Sequence, residues 1–391
     1  MSSFIKSPET SGLPEDNPQK FIGTGIEIGR GTYKIVYSCD ITNKNKAIFK
    51  LPKGTDETKL CIVVVDIIKL IQRKYDNDEL FNEYIIQTAE EKSSNENKEI
   101  FENEINKETK LIIDEFKFQT ELKQLVPQIY DYKNDKTTKV IYVLEEKCGM
   151  SLVEYIKSHS DQQTEGLIKK NIDGTYNYDG MILPNLRYTD ENVFLKIVNL
   201  VNEIADYGYM NIDIKPENTC TIIDENGLLT NIIALDVDPQ FFININLSNK
   251  KHREILVENA KIFMLTLFLA YLGKRSNITF VNDIVVEHLD RAKIKNMLTF
   301  FVNNRIVCLR SRHPLLMLYH YIIGLDDKTQ TSCSDNRSPK KIEKITDEIC
   351  KCIFIEEPIK KNKKKGGSFR TMSYKRISRN NKNKSSKKSR K

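Results

Sequence analysis

No stretch of this chain runs to 18 uninterrupted apolar residues. The apolar run Ile262 to Leu272, 11 residues long, is too short to span a bilayer and suits a buried helix. The N-terminal segment MSSFIKSPETSGLPEDNPQ lacks the charged-then-apolar order of a signal sequence and reads as a flexible lead-in, residues 1–20. These absences predict an intracellular, cytoplasmic chain with no membrane partner. The eight cysteines are scattered, and only Cys350 and Cys352 lie close together. With no second pair, that C-x-C makes no zinc site. Free thiols in a reducing compartment are the expectation. No internal repeat is present.

Acid is missing altogether from residues 358–391, which hold eleven Lys and four Arg. The other residues hold 46 basic and 54 acidic side chains, a net of −8. The overall charge of +7 therefore conceals an acidic body with a basic, Ser-containing tail that reads as disordered. A tail of this kind suits contact with nucleic acid or acidic proteins, nuclear import, or phosphorylation at Ser368, Thr371, Ser373 or Ser378. A purely solubilising tail is the plain alternative.

The length of 391 residues allows two or three domains and a sizeable core. Residues 54–104 read as an insertion, combining an apolar segment (Cys61 to Ile71, with a helix of its own) and an acidic, Asn-rich one. A second insertion is read at about 158–188. A helix is predicted over 103–125, with Ile105, Ile112, Phe116, Leu122 and Leu125 among its apolar positions, ended by Pro127. Strands are predicted from Ile129 and over Val140–Leu144. Thr189-Asp190-Glu191 caps a helix whose apolar face includes Val193, Ile197, Leu200, Val201 and Ile204. A hairpin with a polar turn at Asp224–Gly227 follows.

The chemistry-bearing residues occur in a fixed order. Gly29 and Gly31 form a G-x-G between alternating, β-prone residues, a turn that brings backbone N–H groups close to phosphate oxygens. Lys50, in Ala47-Ile48-Phe49-Lys50, follows 21 residues after Gly29. The predicted helix carries Glu115. Further on stands Asp213-Ile214-Lys215-Pro216-Glu217-Asn218. Read alone it is a polar turn. It also holds an acid, a cation and an amide in six residues. Asp236-Val237-Asp238 follows the hairpin.

This ordered set resembles the eukaryotic protein-kinase domain over roughly residues 21–330, and DIKPEN resembles the catalytic loop of its serine/threonine members. The string GRGTYKIVY is similar to the glycine-rich loop of the with-no-lysine kinases, where a lysine at the place of Lys34 contacts phosphate. The divergent motifs and the Asn/Ile/Lys-rich composition resemble kinases encoded by large DNA viruses. That would add the virion to the expected locations.

The resemblance implies an α+β, bilobal fold. A β-rich small lobe would occupy 21–147, a mainly helical large lobe 148–330, and an extension 331–357. It implies transfer of the ATP γ-phosphate to a protein hydroxyl, with ATP and Mg2+ as cofactors. Asp213 would be the catalytic base and Lys215 the phosphate-contacting cation. Asn218 and Asp236 would hold metal. Gly29, Gly31, Lys34, Val36, Lys50, Glu115, Glu145 and Lys147 would form the nucleotide site. Within it Lys50 is the expected main cation, paired with Glu115, and Lys34 a secondary one. Glu83 and Glu121 are rival partners for Lys50. Leu144 would be the gatekeeper, and backbone from Glu145 to Lys147 would meet the adenine.

The chain also departs from the family. Asn211 and Ile212 stand where His and Arg precede the catalytic Asp, so no cation is there to grip a phosphate on the following segment. Asp238 replaces a Gly, as a metal ligand or a turn residue. The segment Pro239–His252 is short and has no A-P-E motif. These departures motivate two alternatives: a pseudokinase scaffold, or a kinase acting on a small-molecule hydroxyl.

Overall fold

The computed structural model describes residues 26–30, 34–39, 49, 56–74, 95–159, 169–170, 176–177, 186–247, 249–304, 318 and 339–354. Gly31, Lys50, Glu83 and the basic stretch 358–391 lie outside them. The described residues form a mixed α+β architecture, β-rich toward the N-terminus and helical toward the C-terminus.

The β-rich region is one antiparallel sheet of five strands: β1 (Glu27–Arg30), β2 (Lys34–Ser38), β3 (Leu60–Asp66), β4 (Ile129–Asp135) and β5 (Val140–Glu146). Their order is β1-β2-β3-β5-β4. The central strand is LCIVVVD, and its side chains separate by the two-residue period of a pleated strand. Cys61, Val63 and Val65, with Ile141 and Val143 of β5, pack against Ile105, Ile112 and Phe116 of a helix. Leu60 and Ile62, with Val140, Tyr142, Leu144 and Phe49, pack on the other face.

This corrects the expected position of the third strand. The strand beside β2 is Leu60–Asp66, from the segment assigned above to an insertion; Ala47, Ile48 and Lys50 lie outside the described residues. A strand buried on both faces reads as a continuous apolar run, without the alternation that announces a half-buried one. The helix α1 (Ile67–Lys74) begins only where that strand ends. The 28-residue helix α2 (Asn95–Leu122) starts earlier than predicted and closes in a 3-10 turn at Lys123–Leu125, just before Pro127.

The helical region holds α3 (Leu152–His159), α4 (Glu191–Asp206), α5 (Lys250–Ser276), α6 (Asn282–Val286), α7 (Arg291–Asn304) and α8 (Pro339–Ile353). Short strands stitch it together. β6 (Lys169–Lys170) pairs with β7 (Tyr176–Asn177), β8 (Leu186–Tyr188) with β13 (Ile278–Phe280), and β9 (Tyr209–Asn211) with β12 (Phe242–Asn244). β10 (Thr219–Ile223) and β11 (Leu229–Ala234) form the predicted hairpin. Asp190 caps α4 by accepting from the N–H groups of Asn192 and Val193, and the predicted face Val193, Ile197, Leu200, Val201, Ile204 is buried.

Helix α5 is the spine of this core. It is long and apolar enough to cross a membrane by length and composition, yet 61% of its most apolar window is buried inside the protein. It packs against α4, α7 and α8. Helix α8 lies in the extension expected at 331–357, but Ile342, Ile345, Ile349 and Ile353 join the same core. The extension is therefore part of the helical region. Arg291 fixes it from outside, pairing with Asp347 at 2.7 Å and with Glu343.

The expectation of free thiols holds for Cys39, Cys61, Cys350 and Cys352. It fails for Cys148 and Cys220, which form a disulfide across 72 residues of sequence. Spacing gave no hint of this pair. Backbone bonds bring them together: Gly149 N–H donates to Thr221 O at 3.1 Å and Thr221 N–H to Met150 O at 3.0 Å.

Helices α5 and α8 meet closely at Gly273. A Cβ there would overlap the carbonyl of Cys352. Gly273→Ala is expected to lower stability by about 1–3 kcal/mol, as overpacking does in a filled core. Denaturant unfolding of the full chain would check it, and an unchanged midpoint would mean that α8 is loosely held.

Candidate functional site

The segment Asn211–Asn218 joins β9 to β10. Its alternation explains its shape. Ile212 and Ile214 are 2% and 1% exposed and belong to the helical core. Asp213 and Lys215, one residue on from each, are thereby directed away from it. Pro216 then starts a 3-10 turn, Pro216–Asn218, where its fixed φ and missing N–H are tolerated. That turn folds Asn218 back toward Asp213. The Asp213 carboxylate accepts from Asn218 Nδ2 at 3.0 Å and from Lys215 Nζ at 3.1 and 3.2 Å. Asn218 donates through its amide nitrogen, which leaves the amide oxygen as the atom able to face a cation.

Asn218 also leads to the next acid. Its carbonyl accepts from Leu235 N–H at 2.7 Å, one residue before Asp236. Asp236 adopts the left-handed backbone conformation, φ 49°, and Val237 beside it is 2% exposed. An Asp tolerates that conformation better than most residues. Asp238 resolves as a turn residue: its carboxylate accepts from Gln240 N–H at 2.8 Å and its carbonyl from Phe241 N–H at 2.9 Å.

A second cluster gathers on the sheet and helix α2. Lys34 Nζ lies 3.2 Å from Glu115 Oε1 and 3.7 Å from Asp236 Oδ1. Burial pushes the Glu115 carboxyl above the usual carboxylate range, and the Lys34 ammonium opposes that rise. Among the described residues the partner of Glu115 is Lys34; Lys50, the expected partner, lies outside them. Lys34 lies directly across the ladder from Val65 of β3. Of the rival acids, Glu121 is exposed and only its carbonyl is used, by Tyr207.

Glu145 also departs from expectation. Strand β5 runs two residues past Leu144, so Glu145 remains in the ladder, paired with Cys61 and Ile129. The alternation puts Leu144 on the face away from α2, among Leu60, Ile62 and Tyr142. Glu145 lies on the opposite face, the side of Ile141 and Val143. Its carboxyl is pushed up to about 7, chiefly by burial. Glu115 and Asp236 add to the rise; Lys34 and a hydrogen bond with Gln119 oppose it. Glu146 and Lys147 N–H groups are bonded to Gln128 O and Lys59 O. Val36 packs on the α2 side of the sheet and is paired across β1–β2 with Gly29. A Cβ on Gly29 would make only ordinary contact, 3.7 Å from Val36, so no steric clash demands glycine there.

Two groupings result: Asp213–Lys215–Asn218 on the helical side, and Lys34–Glu115–Asp236 with Glu145 on the sheet side. Together they supply a proton acceptor, two ammonium groups for anionic oxygen, and an Asn–Asp pair of hard oxygen ligands. Among the described residues no group of three or more His, Cys, Asp and Glu is placed to hold a metal unaided. Magnesium is nonetheless commonly held by one or two protein oxygens together with substrate phosphates and water, and Asn218 with Asp236 fits that pattern.

The buried carboxyl has a pH signature. Glu145 ionises at the ordinary value of 4.5 when unfolded and at about 7 when folded. Between those values the folded state binds the extra proton. Its contribution to stability is therefore full below 4.5 and lost as pH rises through about 7. Glu145→Gln should flatten the decline of Tm between pH 5 and 8 and raise Tm at pH 8 by several degrees, on the order of 1–3 kcal/mol. Thermal unfolding of the ligand-free chain measures this, and an unaltered slope would show Glu145 ionised throughout.

No protein-family model matches the chain, and no curated protein matches its sequence.

Proposed function

We propose that this chain is an Mg-ATP-dependent phosphotransferase on a bilobal, protein-kinase-like fold, acting on a serine or threonine hydroxyl of a protein. One observation carries the reading: the Asp213 carboxylate is held by Lys215 and Asn218 within one loop, and that loop is hydrogen-bonded to the residue preceding Asp236. The sheet-then-helix order and the Lys34–Glu115 pair support it.

In this reading Asp213 orients the acceptor hydroxyl and takes its proton. Lys215 faces the transferring phosphoryl group. Lys34, fixed by Glu115, assumes the task first sought in Lys50 and meets the non-transferred phosphates. Asn218 and Asp236 would hold magnesium, which neutralises charge on the phosphate oxygens when bound. The residues contribute by positioning and by preset charge, since phosphoryl transfer needs little covalent help from the protein.

The test is incubation of the full chain with labelled Mg-ATP, alone and with peptide and metabolite panels. Asp213→Asn should cut transfer by at least about a hundredfold while sparing nucleotide binding. Lys34→Met should weaken nucleotide binding and lower transfer, and Asp236→Asn should remove the magnesium dependence of binding. Turnover at the wild-type rate in Asp213→Asn would sink the proposal. Binding without transfer in the wild type would favour the scaffold reading. The short segment Pro239–His252 favours a small-molecule acceptor as the second reading, which label on a metabolite and on no peptide would select. Label within 358–391 would make the basic stretch an acceptor.

A further inference from the structure

The residue two places before Asp213 is buried, polar and held on three sides. Asn211 is 3% exposed. Its side-chain oxygen accepts from the Asp213 N–H at 2.9 Å. Its own N–H approaches Met264 Sδ of α5 at 3.2 Å. It also ends β9, where it pairs with Phe242 of β12 in the segment that follows Asp236. Ile212 N–H then donates to Phe241 O at 2.9 Å, continuing the same contact.

We infer that Asn211 is a positioning residue for Asp213: its amide oxygen fixes the peptide on which the Asp213 carboxylate is mounted, while its backbone pairs with the segment after Asp236. This rests on the phosphotransfer reading only for its kinetic consequence. The hydrogen bond itself is a property of the fold.

Each part of the inference follows from placement. The carboxylate oxygens of Asp213 are held by Lys215 and Asn218, both later in the same loop. Those contacts hold the carboxylate relative to the loop, while Ile212 and Ile214 anchor the loop's backbone in the core. Asn211 adds a restraint on the Ile212–Asp213 peptide itself, the first to leave the core. A small misplacement of a reacting group has a large kinetic cost. An apolar side chain at this position would leave the Asp213 N–H without its acceptor. The place where a resemblance to kinases expects a histidine thus holds a group that works as an acceptor, not as a cation.

The test compares Asn211→Leu, which keeps size and removes the acceptor, with Asn211→Asp, which keeps an acceptor oxygen in the same place. Amide exchange at Asp213 in the full chain is the readout independent of activity. Exchange should quicken at least about tenfold in Asn211→Leu and stay within about threefold of wild type in Asn211→Asp. In transfer assays, Asn211→Leu should lower kcat by roughly ten- to a hundredfold with KM for ATP within about twofold, and Asn211→Asp should recover most of kcat.

Equal loss in both variants, or unchanged exchange and kcat in Asn211→Leu, would overturn the inference. Should Asn211→Leu fail to fold, Asn211→Ser, which keeps a shorter acceptor, takes its place. Exchange intermediate between wild type and unprotected amide would then support the inference, and full protection would overturn it. A wild type with no transfer activity would remove the phosphotransfer reading, and the exchange comparison would still decide the role of Asn211 in the loop.

Discussion

A buried carboxylate needs a cation, and the need of Glu115 organises the β-rich half of this protein. The Glu115 side chain is 14% exposed, on the face of α2 turned to the sheet. Left alone, a charge in that position would cost several kcal/mol. β3 cannot answer it, since Cys61, Val63 and Val65 are the side chains it turns to that face. The answer comes from β2, where Lys34 reaches across the place opposite Val65. That ion pair keeps a lysine near Asp236. Glu145 adds a further acid; burial, with the neighbouring carboxylates of Glu115 and Asp236, holds its carboxyl toward the neutral form against the pull of the Lys34 ammonium.

On the helical side the corresponding constraint is apolar. Ile212, Ile214 and Val237 anchor their loops in the core built around α5, and the polar residues between them have no freedom to turn inward. Asp213 and Asp236 are thus aimed by their neighbours before any ligand arrives. The link from Asn218 O to Leu235 N–H joins the two anchored loops. Preset geometry of this kind is what a reaction governed by electrostatics requires.

Much of this was legible in the sequence, and the failures have physical causes. The α4 face and the β10–β11 hairpin showed because each has one buried and one solvated side, so periodicity records it. The local turn at DIKPEN showed because Pro and Asn impose it. Strand β3 was hidden because burial on both faces erases alternation. The Lys34–Glu115 pair was not legible, because the two residues lie 81 apart in sequence and only the packing of α2 on the sheet joins them. The strand predicted over Val140–Leu144 continues to Glu146, because its last two residues are acidic and gave no apolar signal to extend it. The Cys148–Cys220 pair lay beyond reach, since its 72-residue separation is closed only by tertiary contacts.

The departures from the kinase pattern share a direction. Where that pattern expects His and Arg, the chain has Asn211 and Ile212; where it expects Gly, it has Asp238. In the structure Asn211 accepts one hydrogen bond, Ile212 is buried, and Asp238 closes a tight turn. Each replaces a charged or flexible element with a short-range hold that needs no ligand and no added phosphate. The segment from Asp236 to Asn244 is accordingly wound by its own side chains and zipped to β9. A site assembled this way is ordered by folding alone. Phe242 and Ile243, with Ile245 just beyond, bury that segment's apolar side in the helical core, so its order comes from packing and needs no added group.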